Sequence, residues 1–493
     1  MISGGVVAGQ VPGIERSMPA TRPYLYYDAA VSICNVCLRR VEGRIVFEGG
    51  RVYLDKWCRV HKHQRTLMSD DVEFYRKGRE LYIKPPEMPR HFNTPQHYGC
   101  PYDCGLCPEH MQHSCLSLIE VTDLCNLKCP VCYAESGPHR GPNAHRSMET
   151  IRRMLDAVVS NEGEPDVVQI SGGEPTLHPD FFGILDECKA RPIRHLMVNT
   201  NGVRLAKEPG FAARLAAYQP AFEVYLQFDS LRAGAHQTLR GVDLRDIREG
   251  ALANLEAANV STTLVVTLMK GVNDDEIGDI IRHALTFRCV RGVTFQPVQN
   301  AGRTQGYDPA VHRLTISEVR RRIVEQSGIF TERDVLPVPC NADCLAMAYA
   351  LKPDAGSSNV IPLTGLVDPS VFIEGSRNTI VYERDPAMKD HFLKLFATNH
   401  SPESQASCLS DLLCCLPKIE QPEQLAFKYE NLFRIIIMQF IDAESFDLRA
   451  VRKSCVHIAT PEGKIVPFDT YNLFYRDGKR ERLLELQGEI DRT

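Results

Sequence analysis

Cys125, Cys129 and Cys132 fall in one short run, Glu120-Val-Thr-Asp-Leu-Cys-Asn-Leu-Lys-Cys-Pro-Val-Cys132, with the spacing C-x3-C-x2-C. Three closely spaced thiolates can hold three irons of a [4Fe–4S] cube. The fourth iron is then open to bind a small molecule and pass it an electron. That arrangement is what reductive cleavage of S-adenosylmethionine (SAM) needs. A structural zinc site would ask for a fourth nearby ligand and C-x2-C pairing. Downstream, Ser171-Gly-Gly-Glu-Pro175 sets two glycines, which let backbone approach a ligand closely, before a carboxylate. That carboxylate, Glu174, can accept hydrogen bonds from an ammonium group.

Further cysteines fall in three other groups. Cys34-Asn-Val-Cys37 and Cys58-Arg-Val-His61 make a C-x2-C and C-x2-H pair separated by twenty residues. This is the knuckle spacing of a rubredoxin-like iron or a structural zinc, with His63 as an alternative ligand. Cys100, Cys104 and Cys107 repeat the C-x3-C-x2-C spacing, and Cys115 follows closely. With a fourth cysteine at hand, a closed auxiliary [4Fe–4S] cluster is the expectation, and zinc the rival. Cys340-Asn-Ala-Asp-Cys344 and Cys455 suggest a third cluster, whose fourth ligand is open among Cys414, Cys415 and Asp469. Cys188 and Cys289 stand alone in helical stretches and read as small buried hydrophobes. Eighteen cysteines clustered in this way, in a chain of 493 residues without an evident signal peptide, point to metal rather than disulfides.

These side chains need elements that bring them together. Short apolar, β-branched segments at 117–122, 167–171, 195–200, 224–229, 263–268 and 293–298 alternate with helical stretches near 147–160, 179–189, 211–217, 246–258, 274–287 and 317–326. Six βα units in series predict a parallel sheet buried on both faces. Ligands of such folds sit at the carboxyl ends of the strands, where the cysteine motif follows the first strand and Glu174 the second. The expected fold is α/β, a partial (βα)6 TIM-type barrel over residues 117–330. A metal-binding region at 1–116 would precede it and an auxiliary-cluster region at 331–493 would follow.

With both motifs at neighbouring strand ends, the chain resembles the radical SAM superfamily over roughly residues 115–330. The resemblance implies that Cys125, Cys129 and Cys132 ligate the catalytic cluster. It implies that Gly172, Gly173 and Glu174 hold the methionine amino end of SAM. Asn199, Asn201 and Gly202 at the third strand end, Gln227 and Asp229 at the fourth, and Val298 after the sixth match positions that contact cofactor or substrate. The superfamily often has an aromatic before the last cysteine; here that residue is Val131, and Tyr133 is the candidate for packing the adenine side. The implied chemistry is cleavage of SAM to methionine and a 5′-deoxyadenosyl radical, which abstracts hydrogen from an unactivated carbon. An external donor supplies the electron.

The run Gly99-Cys-Pro-Tyr-Asp-Cys-Gly-Leu-Cys-Pro-Glu-His110, the knuckle and Cys455-Val-His-Ile-Ala-Thr-Pro-Glu-Gly-Lys-Ile465 are similar, more narrowly, to the tetraether lipid synthases and their bacterial relatives. That similarity implies a mononuclear metal, two auxiliary clusters and the joining of lipid tails by a carbon–carbon bond. The family places a cysteine near Pro467-Phe-Asp-Thr470, where this chain has Asp469.

Net charge is −5, with 43% hydrophobic and 24% charged residues, so the chain reads as globular and mildly acidic, without a nucleic-acid footprint. No apolar run reaches the ~18–20 residues of a membrane span. The stretch 432–441 is too short, contains Arg434 and Gln439, and reads as a core helix. A cytoplasmic protein with room for peripheral contact at a membrane surface is the expectation. Two rival functions stand beside lipid coupling. One is a peptide- or cofactor-maturing radical SAM enzyme. The other is a non-catalytic iron–sulfur electron carrier, for which Ser171–Pro175 would have no use.

Overall fold

The computed structural model describes residues 22–139, 141, 144–352, 360–365, 370, 431–476 and 478–492. Cys414 and Cys415 lie outside them. Four strands open the chain: Leu25–Ile33 (β1), Arg40–Glu48 (β2), Arg51–Cys58 (β3) and Lys62–Ser69 (β4). They pair antiparallel in the order β1-β2-β3-β4 around a small core of Ala30, Ile45, Val52 and Leu54. The knuckles are legible in the sequence here, but the strands are not. Their apolar positions alternate with Arg, Lys and Glu, and one face of so small a sheet stays wet.

The core strands are Leu116–Thr122 (β5), Val167–Gly172 (β6), His195–Thr200 (β7), Phe222–Gln227 (β8), Thr262–Leu268 (β9) and Val290–Pro297 (β10). Neighbours in chain order pair in parallel. Nearly every residue is buried, which is why these segments are apolar runs rather than alternating ones. The observed spans match the expected ones to within a few residues. Helices Met148–Glu162 and Ile316–Ser327 begin where Ser147 and Thr315 accept the N–H groups of Thr150 and Glu318. Helix Ala233–Arg240 was not anticipated.

Residues after 330 extend this sheet at both edges. Leu432–Met438 (β12) lies parallel to β10, and Leu345–Leu351 (β11) antiparallel to β12. At the other edge Val456–Ala459 (β13) lies parallel to β5, followed by Ile465–Pro467 (β14). The path β11-β12-β10-β9-β8-β7-β6-β5-β13-β14 makes, among the described residues, one α/β sheet that is parallel through its centre and antiparallel at both edges. The expected helix at 432–441 is the strand β12. Its run Ile435-Ile-Ile-Met438 is β-branched and buried on both faces, a composition that favours a strand. Arg434 of β12 donates to both carboxylate oxygens of Glu223 on β8, at 2.7 Å each, with His195 Nε2 3.3 Å away. Burial alone would raise the Glu223 carboxyl; the Arg434 charge outweighs it and holds it well below the usual carboxylate range. Among the described residues no helix is long and apolar enough to cross a membrane.

Candidate functional site

One cavity opens at the carboxyl ends of the core strands. Cys125, Cys129, Cys132, Tyr133, Gly172, Gly173, Asn199, Asn201, Gln227 and Val298 all line it. The loop after β5 and the loop after β6 are zipped together, with Gly173 N–H donating to Thr122 O (2.7 Å) and Glu174 N–H to Leu124 O (2.9 Å). The glycines make this possible. A Cβ on Gly172 would sit 2.3 Å from Thr122 O, and one on Gly173 2.2 Å from Leu124 O. Their first task is therefore to let one loop of chain touch another.

Glu174 and Asp229 stand behind the wall. Glu174 is buried, and its Oε1 accepts from Thr176 N–H (3.2 Å), Thr176 Oγ1 (2.6 Å) and Thr200 Oγ1 (2.7 Å). Its Oε2 takes, among the described residues, one hydrogen bond, from Asn201 N–H (2.7 Å). Burial raises its pKa against these donors. Asp229 binds Arg240 through both oxygens (2.7 and 2.5 Å). Burial would raise its carboxyl, but Arg240 lowers it further. Arg240 also faces the Cys129 thiol. Sequence reasoning missed Arg240 because it missed the helix; the signal was the Gly241 that caps it in the left-handed conformation.

The cysteine loop is pinned from outside. Arg303 donates from Nη2 to Ser136 O (2.8 Å) and from Nε to Cys129 O, and its backbone pairs with Cys132. Burial pushes the Cys125 thiol up to about 12. Tyr133 meets Phe468 edge-on at 4.9 Å and lies under the Arg476 guanidinium at 5.4 Å. Arg476 is held in turn by Glu120 (3.1 and 2.8 Å). Three thiols, two closely packed glycine turns and this cavity fit a cluster with an open iron and SAM.

At the N-terminus the Cys34, Cys37, Cys58 and His61 ligand atoms lie within 4.8 Å of one another, a donor set that fits one tetrahedral metal ion. Burial raises the Cys34 thiol, yet N–H donors of Cys37 and Val36 and the Gln64 amide bring it down to about 6. His63 instead faces Asp55 at 3.6 Å.

The auxiliary groups divide differently from expectation. Cys115 does not join Cys100, Cys104 and Cys107; it meets Cys340 and Cys455, all three sulfurs within 4.8 Å. The reason is topological: Cys115 ends the segment leading into β5, and β13, which starts just after Cys455, pairs with β5. Cys344 lies near enough to Cys455 and Asp469 for charge to be felt between them. Asp469 accepts from Ile441 N–H (2.6 Å) and Ser454 Oγ (3.0 Å). Burial pushes its carboxyl up to about 6. Cys104 is hydrogen-bonded to the Cys100 thiol and takes a hydrogen bond from Thr470 Oγ1 (3.0 Å). Cys100, Cys104 and Cys107 are thus a second three-thiol loop. Cys188 and Cys289 are buried.

A model of the radical SAM superfamily matches residues 119–284, and one of the HMPTM N-terminal zinc ribbon domain matches residues 26–70. The 7,8-dihydro-6-hydroxymethylpterin dimethyltransferase of Methanocaldococcus jannaschii is 31% identical over 94% of this chain and 98% of its own length. The GTP 3′,8-cyclase of Alkaliphilus metalliredigens is 31% identical over 43% of this chain and 65% of its own. Among solved structures, Streptococcus suis SuiB bound to S-adenosylmethionine aligns with a TM-score of 0.34 and 18% identity, over 40% of this chain and 44% of that one. A [4Fe–4S] cluster and SAM follow from the superfamily, and the zinc ribbon and additional cysteine groups fit further metals. The match along nearly the whole chain is to a pterin dimethyltransferase, which corrects the narrower expectation of a tetraether lipid synthase.

Proposed function

The chain belongs to the radical SAM superfamily and, within it, to the family of the 7,8-dihydro-6-hydroxymethylpterin dimethyltransferase, and from that premise we propose that it functionalises an unactivated carbon of a small polar heterocycle of the pterin class. The observation that carries this reading is the set of carboxamides in the cavity: Gln169, Asn199, Gln227, Gln296 and Gln299. Gln169 is only 4% exposed, at mid-strand of β6, and Asn199 Oδ1 is buried without a partner. A buried amide oxygen left unpaired costs about 1–3 kcal/mol, so Asn199 Oδ1 awaits a polar partner, while Gln299 is already held by Ile441 O and Asn472 and Gln296 by the Tyr225 hydroxyl. A pterin ring edge offers alternating N–H and C=O groups of matching kind. A lipid tail offers none.

When bound, the cluster and SAM supply the electron and the 5′-deoxyadenosyl radical. The chain's own residues do the rest. Cys125, Cys129 and Cys132 would hold three irons. Glu174, held behind the wall by Thr176, Thr200 and Asn201, would fix the Gly172–Gly173 turn against the methionine amino end of SAM. Tyr133 and Val298 would pack the adenine, and the strand-end walls exclude water from the radical.

Lipid-tail coupling is the second reading. It is favoured by the apolar part of the same wall, where Leu116, Leu118, Val265, Met438 and Val456 meet. The test is 5′-deoxyadenosine production by anaerobically reconstituted protein with SAM and dithionite, given 6-hydroxymethyl-7,8-dihydropterin, membrane lipid extract, or neither. The pterin arm is expected to exceed the blank several-fold. Stimulation by lipid alone would overturn the pterin reading in favour of the second.

A further inference from the structure

The tip of the N-terminal ribbon is unlike the rest of the surface. Val36, Trp57 and Val60 are 66%, 55% and 58% exposed. Each lies within two residues of a member of the Cys34/Cys37/Cys58/His61 set, so the three gather at one metal-binding tip. Trp57 pairs across β3 and β4 with His63, and Lys62 Nζ lies 5.8 Å from its ring centre. Residues 34–40 and 56–65 hold six Lys and Arg and no Asp or Glu, in a chain of net charge −5. Three of the six are occupied: Lys56 turns inward to Ala443 O (2.6 Å), Arg39 pairs with Glu489 (2.7 Å), and Arg65 pairs with Glu48. Arg40, Arg59 and Lys62 stay exposed, without an ion pair among the described residues. Exposed apolar side chains ringed by cations suit an acidic partner surface.

The inner side of this tip connects to the next thiol group. Tyr102, between Cys100 and Cys104, donates from Oη to Leu38 O (3.1 Å) and accepts from Arg40 N–H (2.7 Å). Its carbonyl accepts from Tyr475 Oη (3.1 Å), and that same Oη accepts from Cys104 N–H (2.7 Å). One hydrogen-bonded wall therefore joins the knuckle backbone to Cys104.

We propose that this tip is the docking face for a small acidic one-electron carrier, flavin- or iron–sulfur-based, an inference that rests on the radical reading above because that chemistry consumes an electron. In the step, the carrier is oxidised by one electron and the enzyme's iron–sulfur centres are reduced by one. No bond is made or broken.

The test uses the full, metal-loaded chain and reduced flavodoxin as probe. Flavodoxin oxidation is followed by stopped-flow absorbance, and 5′-deoxyadenosine is measured with flavodoxin or dithionite as reductant. In R59E/K62E, flavodoxin-driven electron transfer is expected to fall about tenfold or more and to lose its salt dependence, and in Trp57→Ser to fall about tenfold with its salt dependence kept. Dithionite-driven turnover and the metal content of the ribbon should be unchanged. An unchanged flavodoxin rate in both variants overturns the proposal. So does tighter binding of a mixed-sequence oligonucleotide than of flavodoxin to the native chain. Absence of 5′-deoxyadenosine even with dithionite would strike the radical reading instead, leaving the flavodoxin oxidation rate to decide the docking face.

Discussion

The loop of Cys125, Cys129 and Cys132 and the nest of Cys115, Cys340 and Cys455 are both cysteine groups at strand ends of one sheet, yet they are built in opposite ways. The first comes from eight consecutive residues and lines an open cavity. The second draws on segments more than three hundred residues apart and is closed, its thiols all but fully buried. A centre that must admit a ligand is cut from one loop, whose geometry local backbone contacts can set. A centre that only needs shielding can be assembled by the fold around it. The two should therefore fail differently when changed.

The largest difference is in turnover. Cys129→Ala is expected to abolish 5′-deoxyadenosine formation, because two thiolates cannot keep the open cluster in place. Cys340→Ser should instead remove roughly one cluster's iron and spare SAM binding. Equal iron loss and equal SAM affinity in the two variants would erase the distinction. The nest also has a sharper signature. Cys115→Ser and Cys455→Ser should give the same loss in the electron paramagnetic resonance spectrum, and Cys107→Ser a different one. If Cys115→Ser instead matches Cys107→Ser, the grouping expected from spacing alone is restored.

A second contrast lies in how tightly each loop tolerates an added methyl. Gly173→Ala places a Cβ 2.2 Å from Leu124 O, so the two loops must part. A shift of about 1 Å in a reacting group costs on the order of a hundredfold, and the drop should appear in kcat as well as in SAM affinity. Gly463, in the turn between β13 and β14, would place a Cβ no closer than 3.7 Å to its nearest neighbour and carries a positive φ of 86°. Gly463→Ala should cost stability through its backbone alone and leave kcat within a few-fold.

This contrast also explains what could be read from the chain. The open centre was legible because its parts are neighbours: C-x3-C-x2-C after one strand and Gly-Gly-Glu after the next, with apolar runs that mark both strands. Their separation in sequence is the βα repeat itself. The closed nest was not legible. Nothing near Cys115 says that β13 will pair with β5, so proximity in sequence to Cys107 suggested the wrong partner. Arg240 was lost with a helix of eight residues whose apolar positions are few. Of the carboxamides, Asn199 and Gln227 were legible at strand ends, but Gln169, Gln296 and Gln299 were not, because a Gln inside or just beyond an apolar strand declares no direction until its neighbours are known.

The last contrast bears on how the two regions are held to one another. Glu223 lies on β8 beneath the cavity, and Arg434 on the C-terminal strand β12, so their ion pair spans the seam between core and C-terminal additions. Arg434→Met leaves a buried carboxylate without its cation, and loss of about 3–5 kcal/mol is expected in urea unfolding at neutral pH. The sign with pH follows from the shift. In the native chain Glu223 is held below its unfolded pKa, so its contribution is present above about 4.3 and disappears only as pH falls toward the folded value. In the variant, burial without Arg434 raises the same carboxyl, so its protonated form is favoured and stability drops as pH rises. The gap between the two proteins should therefore narrow from about pH 7.5 to about pH 5. A constant gap would mean that Arg434 contributes packing rather than charge, and that the seam is held by the backbone ladder between β10 and β12 and the apolar side chains around it.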